Sequence, residues 1–292
     1  MNFSAISPVA GQSGRAKHAP ALAIADSPAA ESEATTPHRK LPIRMDLGIS
    51  GRCAAVAAAS SGLGFAAAEA LAGEGVRVAI CSRDAERIDA AAARIGSAAT
   101  PFVCDVATIA GATSFIERAR SELGQIDIVI ANCGGPPPGN FASTELAAYA
   151  PAFEQNALST IAMCHAAVPE MRRRRWGRIV AITSIAVREP IGQLILSNTA
   201  RTGLTSFLKT LAREIAGDGV TVNSLQPGLH ETDRMRQIYG DDLEGPASDI
   251  PVGEPGRAED FGRLAAMVCS DHARFLTGAA IPIDGGGYAG LQ

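Results

Sequence analysis

The sequence predicts an α/β fold, a single doubly wound domain with a seven-stranded parallel sheet. From Gly51 onward, short β-branched apolar runs alternate with amphipathic stretches, which is typical of repeated strand–helix–strand units. A glycine-rich turn follows the first predicted strand and opens a helix, a position where such turns bind phosphate groups. The other polar motifs also lie at predicted strand ends, where sheets of this kind bind their ligands.

Composition favours one large core and a small-molecule ligand. The chain has 292 residues, of which 47% are hydrophobic and 19% are charged, enough to bury one extensive core. Its net charge of -4 argues against nucleic acid or an anionic membrane as a partner, because both bind basic surfaces. We therefore expect a small molecule as the substrate.

The N-terminal segment differs from the rest of the chain. Residues 1–45 are rich in Ala, Ser and Pro without periodicity, so we predict a disordered extension before a domain at residues 46–292. Met45 is an alternative start of the protein. A transit peptide is a second alternative, although Glu31 and Glu33 interrupt the basic character that it would need.

The sequence predicts seven strands, and its cysteines are dispersed along the chain. The predicted strands are residues 53–58, 77–82, 101–104, 126–131, 178–182, 220–225 and 279–283. The six cysteines show neither C-x-x-C nor His-paired metal spacing. We expect no metal site and no disulfide, and free thiols suit a reducing, cytoplasmic location.

The turn after the first strand is a candidate phosphate site. Glycines let a backbone approach a pyrophosphate closely, and the following helix supplies free N–H groups. A tight turn without a ligand is the alternative. An alanine at the first turn position should restrict the backbone to negative φ. The candidate residues are Ala58, Ser60, Ser61, Gly62, Leu63 and Gly64.

The end of the second strand indicates which nucleotide binds. Ser82 and Arg83 stand where NAD enzymes usually place an acidic residue, and an arginine there accommodates the 2′-phosphate of NADP. An exposed arginine at the start of a loop is the alternative. The expected cofactor is NADP(H).

The stretch Gly177–Ala216 carries the candidate catalytic residues. Ser184 ends the fifth strand, Ser197 follows 13 residues later, and Arg201 lies four residues beyond it. Residues four apart share one helix face, so both side chains point toward the same crevice.

These motifs resemble the short-chain dehydrogenase/reductase family. They are most similar to a bacterial subset, labelled 3-oxoacyl-carrier-protein reductase-like, that pairs G-G-P-P-P-G with L-S-N-x-x-R, here Gly134–Gly139 and Leu196–Arg201. The resemblance implies a Rossmann-like fold and NADP(H)-dependent reduction of a ketone, 3-oxoacyl or polyketide-like, to an alcohol, or the reverse. The substrate is then a small carbonyl or alcohol compound, either free or bound to a carrier protein.

The resemblance also implies roles for further residues. It assigns Asn156 to a proton relay within a helix, with a purely structural asparagine as the alternative. Arg201 binds ribose hydroxyls in addition to its catalytic role. The remaining implied cofactor contacts are Asp105, Val106, Asn132, Cys133, Gly134, Pro227, Gly228 and Thr232.

The family's Tyr-x-x-x-Lys dyad is replaced by Ser197 and Arg201. A phenol has a pKa near ~10 and can act near neutral pH, whereas a serine hydroxyl is several units less acidic. Arginine keeps its proton, so it stabilises an oxyanion but does not transfer protons. The other tyrosines lack a lysine four residues later, so none reproduces this dyad.

Three functional alternatives therefore stay open. In the first, Ser184 and Ser197 hold a carbonyl, Arg201 stabilises developing charge, and water or a loop residue such as His230 supplies the proton. In the second, the enzyme performs dehydration, isomerisation or lyase chemistry. In the third, the chain is a catalytically silent nucleotide-binding subunit.

Two surface features concern substrate and assembly. Residues 229–255 are polar and interrupted by Gly and Pro, which is typical of a lid over a substrate. Arg172–Arg175 are predicted to cap a helix, or alternatively to dock an acidic carrier protein. The resemblance implies a homo-oligomer, a tetramer or dimer, with one interface around Leu158 and Leu204.

Overall fold

A computed structural model of the protein describes residues 45–291, so the predicted disorder of residues 1–44 lies outside the described part. Seven parallel strands form one sheet in the order β3-β2-β1-β4-β5-β6-β7. This confirms the predicted doubly wound, Rossmann-like α/β fold. The strands are β1 Cys53–Val56, β2 Arg77–Ser82, β3 Ala99–Val103, β4 Ile128–Ala131, β5 Gly177–Ile182, β6 Val220–Pro227 and β7 Ala280–Ile283.

Helices connect the strands and cover both faces of the sheet. Asp84 and Thr108 begin two of them by accepting hydrogen bonds from backbone N–H groups of the first turn. The helices are α1 Gly62–Gly73, α2 Ala85–Ile95, α3 Ile109–Leu123, α4 Tyr149–Phe153, α5 Ser159–Arg174, α6 Ile195–Ile215, α7 Asp233–Tyr239, α8 Glu244–Ala247 and α9 Ala258–Val268.

The hydrophobic core has two halves, one on each face of the sheet. Alternate strand residues face opposite sides, so Ala55 packs with α3, α5 and α6, whereas Val56 packs with α1, α2 and α9. Helices α1 and α9 approach closely at Gly262, where a Cβ atom would lie 2.2 Å from the Ala66 carbonyl oxygen. This packing holds the N-terminal end of α1 at the edge of the sheet.

Three elements differ from the sequence-based predictions. The helix expected over residues 149–174 is divided by a π-helical segment, Glu154–Leu158, which contains Asn156. The expected lid contains the two short helices α7 and α8. The side chain of Leu204 is 2% exposed and belongs to the core, so only other residues of its helix are available for the predicted oligomer interface.

The structure also shows the surroundings of the cysteines and of the four arginines at the end of α5. All six cysteines lie in the described part and are unpaired. Three of the four arginines at the end of α5, Arg172, Arg174 and Arg175, form ion pairs with acidic residues of this chain. These contacts favour the helix-cap interpretation over a docking patch. Within residues 45–291, no helix is long and apolar enough to cross a membrane.

Candidate active site

A cleft of about 460 Å³ lies at the carboxyl edge of the sheet. Loops after β1, β2, β4, β5 and β6 line it, because the ends of parallel strands meet at one edge. Most of the predicted site residues converge there, namely Ala58, Ser61, Gly62, Leu63, Arg83, Asn132, Cys133, Gly134, Ser184, Ser197, Arg201, Pro227, Gly228, His230 and Thr232.

Six predicted site residues do not line this cleft. Asn156 and Val106 are buried, and Asp105 is exposed with its carboxylate accepting a hydrogen bond from Ala107 N. The Ser82 hydroxyl accepts from Asp84 N at 3.1 Å, beside the start of α2. Of the other two, Ser60 lies in the turn between β1 and α1, and Gly64 lies in the first turn of α1.

The turn between β1 and α1 has the form of a phosphate cradle. The side chain of Ser61, the N-cap residue of α1, makes no cap hydrogen bond, so N–H groups of the first turn stay free for an anion. Gly64 admits no side chain, since a Cβ atom would lie 2.5 Å from Ala58 O and 2.7 Å from Asn132 Nδ2. Asn132 in turn donates to Ala58 O at 3.2 Å.

Ala58 corrects one expectation about this turn. Its φ is 48°, so the alanine adopts the left-handed conformation of a glycine, and the predicted restriction to negative φ is wrong. The hydrogen bond from Asn132 to its carbonyl helps to hold this conformation, which costs a residue with a Cβ atom about 1–2 kcal/mol. The turn therefore keeps its shape despite the methyl group.

Two arginines occupy the end of the cleft beyond β2. Arg83 and Arg87 both line it, and Arg87 Nη2 donates to Ser61 Oγ at 3.1 Å. Asp84, the nearby acidic residue, has its carboxylate engaged with Arg87 N as a helix cap. Arg87 also pairs with Asp233 at 3.4 Å, but both side chains are more than half exposed, so the pair is weak and can open.

The two serines and Arg201 meet at the other end. Arg201 is 7% exposed, and it donates from Nη1 to Ile182 O at 2.9 Å and from Nε to Ser197 Oγ at 3.2 Å. Ser184 Oγ accepts from Ala186 N at 3.1 Å. Each serine oxygen thus accepts from an N–H group, which leaves its own hydroxyl proton to donate into the cleft.

Cys133 and Asn156 lie directly behind this group. Cys133 Sγ donates to Asn156 Oδ1 at 3.6 Å, and Asn156 Nδ2 donates to Ala152 O at 3.3 Å. Burial raises the pKa of the Cys133 thiol, opposed by the nearby charge of Arg201. The thiol is therefore neutral near pH 7 and does not act as a base.

His230 is packed as a structural residue. It is 3% exposed, its ring meets Phe261 edge-on at 5.4 Å, and Nδ1 lies 3.2 Å from Gly228 O. Because a carbonyl only accepts, Nδ1 carries the proton. Burial lowers the pKa of this imidazole, so the neutral ring is poorly suited to the proton-donor role that the sequence suggested.

Helix α7, within the expected lid, meets the Gly-Pro loop, Gly134–Gly139, beside the cleft. Arg234 and Tyr239 of α7 both line it, and Arg234 Nη2 donates to Pro136 O at 2.7 Å. The same loop pairs with the segment before α6 through a bridge between Gly139 and Leu194. The lid, the Gly-Pro loop and α6 are thus connected around the substrate end.

Sequence comparison identifies the family. The family model described as enoyl-(acyl carrier protein) reductase matches residues 57–288. The 3-oxoacyl-[acyl-carrier-protein] reductase FabG of Escherichia coli is 31% identical over 238 residues, covering 82% of this chain and 98% of that protein. Human dehydrogenase/reductase SDR family member 4 is 30% identical over 244 residues, covering 82% and 88%. The chain belongs to the short-chain dehydrogenase/reductase family.

A solved member of the short-chain dehydrogenase/reductase family has the same fold. The L-sorbose reductase of Gluconobacter frateurii, complexed with NADPH and L-sorbose, is 29% identical with a TM-score of 0.79, covering 85% of this chain and all of that one. Because it belongs to this family, the chain is an oxidoreductase. In its cleft, Ser197 and Arg201 occupy the positions where the family pattern has Tyr and Lys.

Sequence reasoning missed Arg87, Arg234 and Tyr239 as cleft residues. Arg87 had a detectable signal, because it lies in the first turn of α2, only four residues after Arg83. For Arg234 and Tyr239 the only signal in the sequence is that both lie in the expected lid. The sequence of a short helix in a polar segment does not show which of its side chains face the cleft.

The strained turn yields a stability prediction. Relief of the left-handed alanine is worth about 1–2 kcal/mol, and the greater freedom of glycine in the unfolded chain offsets about 0.4–1 kcal/mol of this gain. We expect Ala58→Gly to raise the free energy of unfolding by up to about 1.6 kcal/mol, with a midpoint of about 0.8 kcal/mol, measured by urea denaturation.

Ala57→Gly is the matched control. Ala57 is fully buried and has no positive φ, so glycine there should lower the free energy of unfolding by about 0.5–1 kcal/mol. Equal destabilisation by both substitutions would show that Ala58 is unstrained.

Proposed function

We propose that the protein is an NADP(H)-dependent reductase that converts a ketone to an alcohol, or catalyses the reverse reaction. The observation that carries this proposal is the occurrence of Arg83 and Arg87 in the same cleft as Ser184 and Ser197. One end offers cations for a 2′-phosphate, and the other offers hydroxyl donors for a carbonyl oxygen. The relatives support it, since one is named a 3-oxoacyl reductase and another is complexed with NADPH.

The described residues fit a dinucleotide. Gly62 and Gly64 would let the pyrophosphate approach the free N–H groups of α1. Arg83, Arg87 and Ser61 would hold the 2′-phosphate, and Asn132 stabilises the turn between them. Thr232, whose Cγ2 lies 3.5 Å from the Cβ position of Gly62, would contact the cofactor from the lid. The bound cofactor supplies the hydride.

Ser184, Ser197 and Arg201 would act on the carbonyl oxygen. Both hydroxyls have a proton free to donate, and Arg201 is fixed by Ile182 O beside them. As hydride reaches the carbonyl carbon, negative charge develops on the oxygen. Preorganised donors and a cation stabilise that charge without having to reorganise.

The proton for this oxygen would come from Tyr239. Serine hydroxyls are too weakly acidic, arginine keeps its proton, burial keeps His230 neutral, and the Cys133 S–H group is engaged with Asn156 Oδ1. Among the described residues that line the cleft, Tyr239 has the only phenol. Tyr239 ends helix α7 and is 45% exposed, so movement of this helix would bring the phenol to the substrate.

The missing Tyr/Lys dyad favours a second candidate. A non-redox dehydration, isomerisation or lyase step needs charge stabilisation by Arg201 but no phenol at position 197. A silent nucleotide-binding subunit is the limiting case. A carrier-protein-bound substrate is also proposed, because FabG is named for an acyl-carrier-protein substrate. The homotetramer or homodimer and the cytoplasmic location stay predictions from the sequence.

Cofactor preference tests the nucleotide assignment. A hydrogen bond to a charged group is worth about 1.5–3 kcal/mol. Arg83→Ala or Arg87→Ala should therefore raise the Kd of NADPH about 10- to 100-fold and leave the Kd of NADH nearly unchanged, as measured by quenching of intrinsic fluorescence. Arg94→Gln, on the same helix but outside the cleft, is the control. Equal Kd values for NADPH and NADH in the wild type would refute the assignment.

Removal of the lid phenol tests the proton donor. We expect Tyr239→Phe to lower kcat about 10²- to 10⁴-fold and to leave the Kd of NADPH unchanged, as followed by NADPH oxidation with β-keto esters, oxo acids and quinones. Tyr288→Phe, outside the cleft, should retain kcat. An unchanged kcat in Tyr239→Phe would mean that water supplies the proton. No oxidation of NADPH by the wild type, despite tight binding, would reject ketone reduction.

A further inference from the structure

The substrate end of the cleft contains two guanidinium groups without acidic partners. Within residues 45–291, neither Arg201 nor Arg234 forms an ion pair with a carboxylate. Asp233 is the only acidic residue among the described residues that line the cleft, and it faces Arg87. The substrate end is therefore strongly positive.

Each guanidinium is held in place by backbone carbonyl groups. Arg201 donates to Ile182 O at 2.9 Å and to Ser197 Oγ at 3.2 Å. Arg234 donates to Pro136 O at 2.7 Å and lies so close to Gly135 that a Cβ atom there would be 2.9 Å from its Nε and Nη2 atoms. These bonds leave further N–H donors of both groups unused.

Two like charges in one partly buried cleft carry an electrostatic cost. Burial lowers the pKa of Arg234, and the charge of Arg201 lowers it further, so the two groups are near enough to repel. Buried charges are normally paired, because leaving them unpaired is unfavourable. A bound anion would remove both the repulsion and the desolvation cost.

We propose that Arg201 and Arg234 form a clamp for a carboxylate of the substrate, so that the ketone is carried by a 2-oxo or 3-oxo acid. This inference rests on the proposed ketone reduction and names its substrate class. A planar guanidinium matches a carboxylate through two parallel hydrogen bonds. Because Ser197, which would hold the ketone oxygen, accepts a hydrogen bond from Arg201, a carboxylate bound by the remaining N–H donors of Arg201 would lie close to the reacting carbonyl.

The pyrophosphate of the cofactor is the competing source of an anion. Its cradle is the turn at Gly62, which is covered by Thr232. Arg234 lies instead over Gly135 and Pro136, beyond the strand-end residues Asn132–Gly134. The position of Arg234 therefore favours the substrate.

Paired ligands test the clamp. The probes are acetoacetate and 2-oxohexanoate, each with its methyl ester, titrated calorimetrically into the complex with NADP⁺. We expect both acids to bind at least about 10-fold more tightly than their esters, since the difference removes a charged hydrogen bond. Arg234→Gln should weaken the acids about 10- to 100-fold, leave the esters and NADP⁺ unchanged, and be partly rescued by Arg234→Lys. Arg236→Gln, on the same helix but outside the cleft, should change nothing.

Each outcome separates the clamp from the proposed reaction. Acids that bind through Arg234 but are never reduced would retain the clamp and reject ketone reduction. Equal binding of acids and esters, or no binding of either, would overturn the clamp even if neutral ketones are reduced. Loss of NADP⁺ affinity in Arg234→Gln would also overturn it, by assigning the arginine to the cofactor.

Discussion

The hydrogen bond from Arg201 to the carbonyl of Ile182 is the constraint on which the candidate site depends. It joins helix α6 to the last residue of strand β5 at 2.9 Å, and the same guanidinium bonds Ser197. Ser184 follows Ile182 by two residues, so one contact sets the positions of both serines. The guanidinium is planar and has several N–H donors in a fixed geometry, so it makes both bonds and still faces the cleft. The site thereby has a fixed cation beside Ser197.

The two unusual motifs of the sequence form one structural unit. Gly139 N donates to Gln193 O at 2.8 Å, and Ile195 N donates to Gly139 O at 3.2 Å, so the Gly-Pro loop pairs with the start of α6. In the same loop, Pro136 O accepts a hydrogen bond from Arg234 of helix α7. Prolines fix the loop at little entropic cost on binding. The Gly-Pro loop and Arg201 therefore occur together for a physical reason. The loop holds the start of α6, the helix that carries Arg201, and it also holds the side chain of Arg234.

Much of this arrangement was predictable because parallel strands bring their ends together. The convergence of Ser61, Arg83, Asn132 and Ser184 at one edge of the sheet follows from that rule. The φ of Ala58 was not predictable from its residue type, because Asn132, 74 residues away, bonds its carbonyl. The π-helical segment at Asn156 and the directions of Arg234 and Tyr239 depend on tertiary contacts of the same kind. Local patterns thus located the site, and long-range contacts determined its chemistry.

If the proposed roles hold, helix α7 would supply the proton donor that helix α6 lacks. Helix α7 carries both Arg234 and Tyr239, so an anion bound by Arg234 and Arg201 would draw the phenol over the same cleft. In the usual family pattern the acid stands permanently beside the catalytic serine. Here proton donation would depend on lid closure, and closure would depend on the charge of the substrate. Binding energy from a group remote from the reacting carbon is then used to assemble the catalytic site. Such an enzyme would discriminate against neutral ketones in kcat as well as in binding, because without the carboxylate the phenol stays at the mouth of the cleft.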